Sequence, residues 1–357
     1  MRGNVTLRQS KRVTAPLGRW RGPAFVVAFA MVPMLSHTGA TASFPCAAAM
    51  APRERLICGN PDLSRADEAL TTAYKAALSA LSERGREVTR EGQWQWLRYT
   101  QTVCGIGLRR YASRPSVDCL KDEYAARHKQ LESAMLKRTG LVHRRVDLLK
   151  ATPSSAAGGG GRYAGFNTMV ISYPQIDKPS DKHEDAWNTL VLKHSRAGEA
   201  VAGVSFDPND DHDLTVSYVL GSVSPTMISL RLLIYDDEHG AHGSAADEQI
   251  TWFIREGRAL KAEDVFEGTQ TWQEALARLV LDQAERSVHT GGYDLPFSEP
   301  SELANEVSDP AHWLITDRAL QIRFNIDAFP HVVLSVIAWS KLKRYLRSPL
   351  PFVISSD

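Results

Sequence analysis

Residues 54–81 read ERLICGNPDLSRADEALTTAYKAALSAL, and they decide the character of the N-terminal part of the chain. Apolar residues recur here at steps of three or four, the spacing that places side chains on one face of an α-helix. These residues are Leu63, Ala66, Leu70, Ala73, Ala77 and Leu81. Asn60-Pro61-Asp62 is a typical helix start and Gly85 a typical stop. The stretch therefore predicts an amphipathic helix with one buried stripe.

Two more helices are predicted downstream, at about residues 86–104 and 117–136. The first contains Trp94 and Trp96, which we interpret as core residues, with stacking on a glycan as the alternative. The second has long side chains along one side. These are Leu120, Tyr124, Arg127, Leu131 and Met135.

All four cysteines lie in this helical region, at Cys46, Cys58, Cys104 and Cys119. An even number of clustered cysteines in an exported chain indicates disulfides. A zinc site is the alternative, but no Cys-x-x-Cys pair is present. Four cysteines allow three pairings, and the spacing does not choose among them. Because they lie near predicted helix ends, we expect them to meet at one end of an antiparallel bundle.

The first 42 residues are typical of a signal peptide. A positively charged segment without acids is followed by the apolar run 23–35 and by Ala40-Thr41-Ala42, a typical cleavage site. The run is shorter than the roughly 20 apolar residues that span a bilayer, although an uncleaved anchor is the alternative. We expect a periplasmic or extracellular protein with no stable transmembrane segment after cleavage.

A segment rich in Ser, Ala and Gly, residues 151–162 (ATPSSAAGGGGR), predicts a flexible linker between a helical domain at 43–150 and a second domain at 163–357. The second domain has seven β-rich stretches and two helical ones. The predicted strands are 167–173, 214–220, 226–235, 249–255, 313–316, 320–324 and 331–337, and the predicted helices are 187–193 and 272–286. The fold class is therefore α+β, a small disulfide-bonded three-helix domain followed by a mixed sheet domain.

The two regions carry opposite charge. Residues 43–150 have a net charge of +7 and residues 151–357 a net charge of −12, within a chain whose formal total is +1. An acidic domain attracts basic partners and repels nucleic acid. A surface that is acidic only for solubility is the alternative.

The helical region resembles the LprI-type lysozyme inhibitor domain over about 90 residues. The matching positions combine Ser43–Cys46 and Glu54–Cys58 with a Leu-x-x-x-Asp-x-x-Leu-x-x-x-Tyr pattern and a Gln-x-x-Trp-Leu motif. The residues of these two motifs and the further matching positions are Leu63, Asp67, Leu70, Tyr74, Gln93, Trp96, Leu97, Cys104, Cys119, Leu120, Tyr124 and Arg127. Family members often have Arg-Asp where this chain has Thr100-Gln101.

Most of residues 163–345 resemble, more loosely, the C-terminal domain of the anti-sigma factor RsiV and its relatives. The matching stretches are 170–176, the segment around Asn188, 230–235 with 240–242, 260–266 and 314–325. Both families include lysozyme-binding proteins. The resemblance therefore implies a periplasmic protein that binds and inhibits or senses lysozyme, or another basic wall-degrading protein. The alternatives are an envelope adaptor, with peptidoglycan as a further partner, and an envelope hydrolase.

Contact residues are predicted in the basic loop 105–118 (GIGLRRYASRPSVD), because Arg and Tyr dominate binding hot spots. We select Arg109, Arg110, Tyr111 and Arg114, whose cations and hydroxyl suit the catalytic carboxylates of a lysozyme cleft. An ordinary helix connection is the alternative.

His239 and His242, in the turn that the second resemblance highlights, are further candidates for partner contact. His-x-x-His without a third ligand is a weak metal signal, so no metal or cofactor is predicted. The sequence contains no serine elbow, Cys/His nucleophile, His-Glu-x-x-His motif or phosphate loop, and we predict that the protein is not an enzyme.

Overall fold

The structure is a computed structural model with mixed α and β elements. It describes residues 42–106, 116–133, 137–138, 141–154, 163, 165–197, 212–237, 243–268, 271–291, 297–325 and 332–355. The predicted α+β class is confirmed. No helix in these ranges has the length and apolar character needed to cross a bilayer.

The N-terminal region contains four helices where the sequence predicts three. They are α1 (Pro52–Gly59), α2 (Pro61–Ala80), α3 (Glu83–Val103) and α4 (Val117–Ser133). The predicted stripe of α2 is buried at Leu63, Leu70, Ala73 and Ala77, where it packs against α4. Asn60 caps α2 as predicted, because its side chain accepts hydrogen bonds from the amides of Asp62 and Leu63.

Gly85 does not end the first long helix, contrary to the prediction. The helix ends at Ala80, and Ser82 caps the next one by accepting a hydrogen bond from the amide of Gly85 at 3.1 Å. Gly85 lies in the first turn of α3, where a Cβ atom would come within 2.0 Å of Asp177 Oδ1. The glycine is therefore explained by close packing rather than by helix termination.

The main sheet has seven strands in chain order. They are β1 (Lys137–Arg138), β2 (Leu141–Pro153), β3 (Phe166–Ile176), β4 (Asp213–Val223), β5 (Met227–Asp237), β6 (Ser244–Phe253) and β7 (Arg258–Ala259). Neighbours are antiparallel except β3 and β4, which run parallel and are connected through α5 (Lys182–His194). Trp187 and Val191 of α5 are fully buried in the same core as Ile171 and Val216 of these two strands.

Strand β2 differs from the predicted domain boundary. The sequence places residues 141–150 in the helical domain and starts the linker at residue 151. In the structure, residues 141–153 form one strand, and His143–Pro153 pair with Phe166–Ile176 of β3. Hydrogen bonding of Ala151–Pro153 to β3 removes these three residues from the linker. Residues 155–162 of the predicted linker lie outside the described part of the chain.

A second, three-stranded antiparallel sheet consists of β8 (Trp313–Ile315), β9 (Ala319–Asn325) and β10 (Val332–Ala338). It shares a core with α6 (Thr271–Gly291), α7 (Pro300–Ser308) and the short α8 (Trp339–Leu342). The two sheets are connected by a buried hydrogen bond, in which the amide of Ile315 donates to Ser229 Oγ at 2.9 Å.

Candidate functional site

Both disulfides predicted for the helical region are present. Cys46 pairs with Cys58 and Cys104 with Cys119, which settles the pairing that the spacing left open. The helix ends gather as expected, since Lys121 near the start of α4 lies 3.4 Å from Asp62 at the start of α2. The cysteines thus brace the end of the bundle from which the basic loop leaves.

The two ends of the basic loop are fixed to each other. Cys104 ends α3, Cys119 lies in the first turn of α4, and their Cα atoms are 5.6 Å apart. The amide of Ser116 donates to the carbonyl of Cys104 at 3.2 Å, and Ile106 is 1% exposed. The loop therefore leaves from a rigid base.

The tip of this loop is outside the part that the structure describes. Arg109, Arg110, Tyr111 and Arg114 all lie in residues 107–115, between the described helices α3 and α4. They stay predicted contact residues, presented from the disulfide-bonded base.

His239 and His242 also lie outside the described residues, in the connection between β5 and β6. The antiparallel pairing of β5 with β6 extends to Asp236 and Ser244. Gly243 approaches Tyr235 so closely that a Cβ atom would be 2.3 Å from the tyrosine hydroxyl. A larger residue at this position would therefore require the ring of Tyr235 to move.

A buried polar network lies inside the helical layer. The Nη2 atom of Arg53 donates to Thr100 Oγ1 at 2.8 Å, and the Arg53 guanidinium lies 5.9 Å from the centre of the Trp96 ring. Burial lowers the pKa of Arg53 and raises the pKa of Tyr124 to about 12. Thr100, at a position where the family often has arginine, is here a hydrogen-bond acceptor for Arg53.

Sequence reasoning missed a buried ion network that joins the helices to the sheet. Asp147 of β2 accepts hydrogen bonds from Arg127 Nη1 of α4 at 2.6 Å, Arg145 Nε at 2.7 Å and Ser172 Oγ at 2.7 Å. The side chains of Arg127 and Asp147 are 1% and 6% exposed. Burial opposes ionisation of Asp147, but the two guanidinium groups outweigh it and hold its pKa below its usual range.

A cleft of about 1020 Å³ lies at the junction of the α2–α3 turn, β2, β3 and α5. Its lining includes Arg84, Arg86, Arg144 and Lys178. Arg144 is held by the carbonyl of Asp177 and by Gln175 Oε1, at 2.9 and 2.7 Å. These contacts join β2 to β3. The amide of Ser82, before α3, donates to Asp177 Oδ2 at 2.6 Å, so we assign the cleft to the junction between the helical layer and the sheet.

The two tryptophans of α3 have different environments. Trp96 is 2% exposed and packs edge-to-face on Tyr124, with ring centres 5.0 Å apart, as expected of a core residue. The interpretation of Trp94 as a core residue is wrong, because Trp94 is 51% exposed and borders a groove of about 320 Å³ that Arg98 and Lys150 also line. The guanidinium of Arg98 lies 4.6 Å from the centre of the Trp94 ring. An exposed indole beside cations is suited to stacking on a ring that carries negative charge.

Comparison with known proteins yields structural neighbours only. The sequence matches no protein-family model and no curated protein. A DUF3298 family protein from Pseudomonas aeruginosa is similar in structure, with a TM-score of 0.42 at 15% identity, covering 60% of this chain and 98% of the other. A DUF3298 member from Bacteroides fragilis has a TM-score of 0.38 at 13% identity, covering 59% and 95%. Similarity at this level supports no functional argument.

Proposed function

We propose that the protein is exported to the periplasm, where it binds lysozyme or another basic wall-degrading protein and inhibits or senses it. The observation that supports this proposal is the Cys104–Cys119 disulfide at the base of the basic loop. Fixing a loop before it binds reduces the conformational entropy lost on binding. Such a loop can present Arg109, Arg110, Tyr111 and Arg114 to a cleft that contains two carboxylates.

The charge distribution supports the same proposal. The region from residue 151 onward, with its net charge of −12, attracts a basic partner over long range, while the loop provides the cations for the cleft. Both histidines of the β5–β6 connection belong to this acidic region and stay candidate contacts. Attraction by surface charge predicts faster association at low salt, because salt screens charges more than about 10 Å apart at 0.1 M.

The test is binding of residues 43–357 to an animal-type lysozyme at low salt, together with the rate of cell-wall lysis. We expect binding and slower lysis, both weakened at least tenfold by replacing Arg109 and Arg110 with glutamate. Arg65→Glu is the control, because Arg65 is exposed on α2 and, among the described residues, pairs with Asp62 of its own helix. No binding at micromolar concentration, or equal loss in the control, contradicts the proposal.

The two disulfides provide a second comparison. Replacing Cys104 and Cys119 with serine releases the base of the loop, whereas replacing Cys46 and Cys58 leaves it closed. Each bridge closes a short loop and contributes roughly 3 kcal/mol to stability. If the loop makes the contact, the first double variant loses more affinity than the second although both lose similar stability.

A second candidate function is that of an envelope adaptor that holds peptidoglycan. The groove of Trp94, Arg98 and Lys150 favours it, since carboxylates and sugar rings of the wall polymer suit cations and an indole face. Salt-sensitive co-sedimentation with peptidoglycan that Trp94→Ala removes, without any effect on lysozyme, supports the adaptor and contradicts the inhibitor.

A further inference from the structure

We propose that removal of the signal peptide after Ala42 creates an ion pair between the new α-ammonium of Ser43 and the carboxylate of Asp67. Cleavage hydrolyses the Ala42–Ser43 peptide bond, so that Ala42 keeps a carboxylate and Ser43 becomes the first residue with a free amine. The inference rests on the export part of the proposed function and does not depend on lysozyme.

The nitrogen atom that would carry the charge is already in place. The backbone nitrogen of Ser43 donates to Asp67 Oδ2 at 2.9 Å. Asp67 is 8% exposed, on the core side of α2 between Leu63 and Leu70. The Cys46–Cys58 disulfide fixes the chain to α1 three residues further on, so the position of Ser43 is determined by the folded layer.

Cleavage changes the chemistry of this contact without moving it. In the precursor, Asp67 accepts hydrogen bonds from the neutral amide of Ser43 and from the hydroxyl of Tyr124. In the processed chain, the same nitrogen carries a positive charge and three protons. The contact therefore gains a Coulombic attraction between two full charges, which is stronger where water is partly excluded. A buried carboxylate gains most from such a partner, because its charge is poorly solvated.

The other charged groups near Asp67 leave room for this partner. Arg53 of α1 and Tyr124 of α4 interact electrostatically with Asp67. The side-chain hydrogen bonds of Arg53 go to the carbonyl of Leu97, to Thr100 of α3 and to the hydroxyl of Tyr124. Tyr124 has a pKa of about 12 because of burial, so it is neutral at physiological pH. Asp67 thus has no hydrogen-bonded cation within the described residues until the signal peptide is removed.

The packing also implies an order of events. Ala42 is 9% exposed and belongs to the core of the helical layer, so the bond after it is poorly accessible once the layer has folded. We therefore expect cleavage to precede packing of this segment.

The experiment compares two full-length mature chains that differ by one residue. One begins at Ser43 and the other retains Ala42, which moves the ammonium about 3.8 Å along the chain. Each is made with Asp67 and with Asp67→Asn, and Tm is measured from pH 6 to pH 10. We expect the Ser43 chain to melt several degrees higher at pH 7, and Asp67→Asn to remove this difference.

The pH dependence of the difference in Tm follows from the direction in which the pKa of the Ser43 amine is expected to shift. A carboxylate partner raises the folded pKa of the amine above its ordinary value of about 7.7–8.0. The added stability is then complete below that ordinary value and disappears as the pH rises through the folded pKa. The difference in Tm between the two chains should therefore vanish by pH 10.

Three outcomes would overturn the inference. They are equal Tm values for the two chains at pH 7, a difference that persists at pH 10, and a mature protein from the cell envelope whose mass does not begin at Ser43. If Asp67→Asn fails to fold, acetylation of the Ser43 amine removes the same charge with Asp67 intact, and it should lower Tm to that of the Ala42 chain. Lysozyme binding is measured in a separate experiment. Failure of the ion-pair proposal can therefore be distinguished from failure of the lysozyme proposal.

Discussion

At the residue scale, the carboxylate of Asp147 lies between Arg145 of its own strand and Arg127 of α4, and the contact with Arg127 joins the helices to the sheet. The surrounding charges are buried, so removing one partner leaves cations without compensation in a medium where they are poorly solvated. A sequence shows that these residues are charged, but not that a helix and a strand 20 positions apart bring them together.

We expect Asp147→Asn to lower the free energy of unfolding by about 3–5 kcal/mol, measured by urea denaturation at pH 7. Glu87→Gln is the control, because it removes a carboxylate from an exposed pair with Arg84 and should cost less than about 1 kcal/mol. Since the folded pKa of Asp147 is lowered, its contribution is complete above the unfolded value of about 3.9 and is lost as the pH falls through the folded one. The variant should therefore lose less stability in acid than the parent chain.

Gly85 provides a second test at this scale. Alanine usually stabilises a helix by up to about 1 kcal/mol relative to glycine. At Gly85 the added Cβ atom would collide with Asp177 Oδ1, so we expect Gly85→Ala to cost about 1–3 kcal/mol by thermal or urea denaturation. Gly59→Ala is the matched control, with nothing within 4 Å of the added atom, and should be neutral or stabilising. Equal effects of the two substitutions would contradict the packing explanation of Gly85.

At the element scale, the sequence predicted the elements whose pattern is local. The stripe of α2 and the strands around β3, β4, β5 and β6 are recognisable because alternation or helical spacing persists over many residues. Helix α1 and helix α7 were missed because eight and nine residues are too few for a periodic pattern to stand out.

Strand β2 was missed for a different reason. Its sequence LVHRRVDLLKATP contains two arginines and an aspartate, which resemble a solvated connection. In the structure Asp147 pairs with Arg145 and Arg127, and Arg144 contacts the carbonyl of Asp177, so a strand with a polar sequence is buried or half-buried over most of its length. The alternation of Val146 and Leu148 with charged residues was the available signal.

The candidate site was predictable only in part, because contacts between residues that are distant in sequence leave no local pattern. The sequence indicated two disulfides and a basic loop between Cys104 and Cys119, but the pairing was open until the structure brought the end of α3 next to the start of α4. The contact between Ser43 and Asp67 joins the chain start to the middle of a helix, and nothing in the spacing of these residues indicates it.

At the scale of the whole molecule, the helical region and the sheet region are one folded unit, although their charges and the intervening Gly-rich segment suggested two. Residues 40–357 form a single compact unit. The helical core includes Leu149, Ala151 and Val170 from β2 and β3 as partly buried members. Gln95 of α3 accepts a hydrogen bond from the amide of Leu149 at 3.0 Å. The junction therefore combines apolar packing, hydrogen bonds and buried charge.

This architecture predicts that the two fragments remain bound to each other when the chain is cut between β2 and β3. A specific protease site placed at residues 156–160 separates residues 43–155 from the remainder. After the cut, β2 with His143–Pro153 belongs to the first piece and its partner strand β3 to the second. We expect the two pieces to co-elute in gel filtration after cleavage and to melt in one transition, because eleven paired residues and the Asp147 network still join them. Two independent domains would instead separate on the column, and adding Asp147→Asn should bring the cleaved protein toward that behaviour.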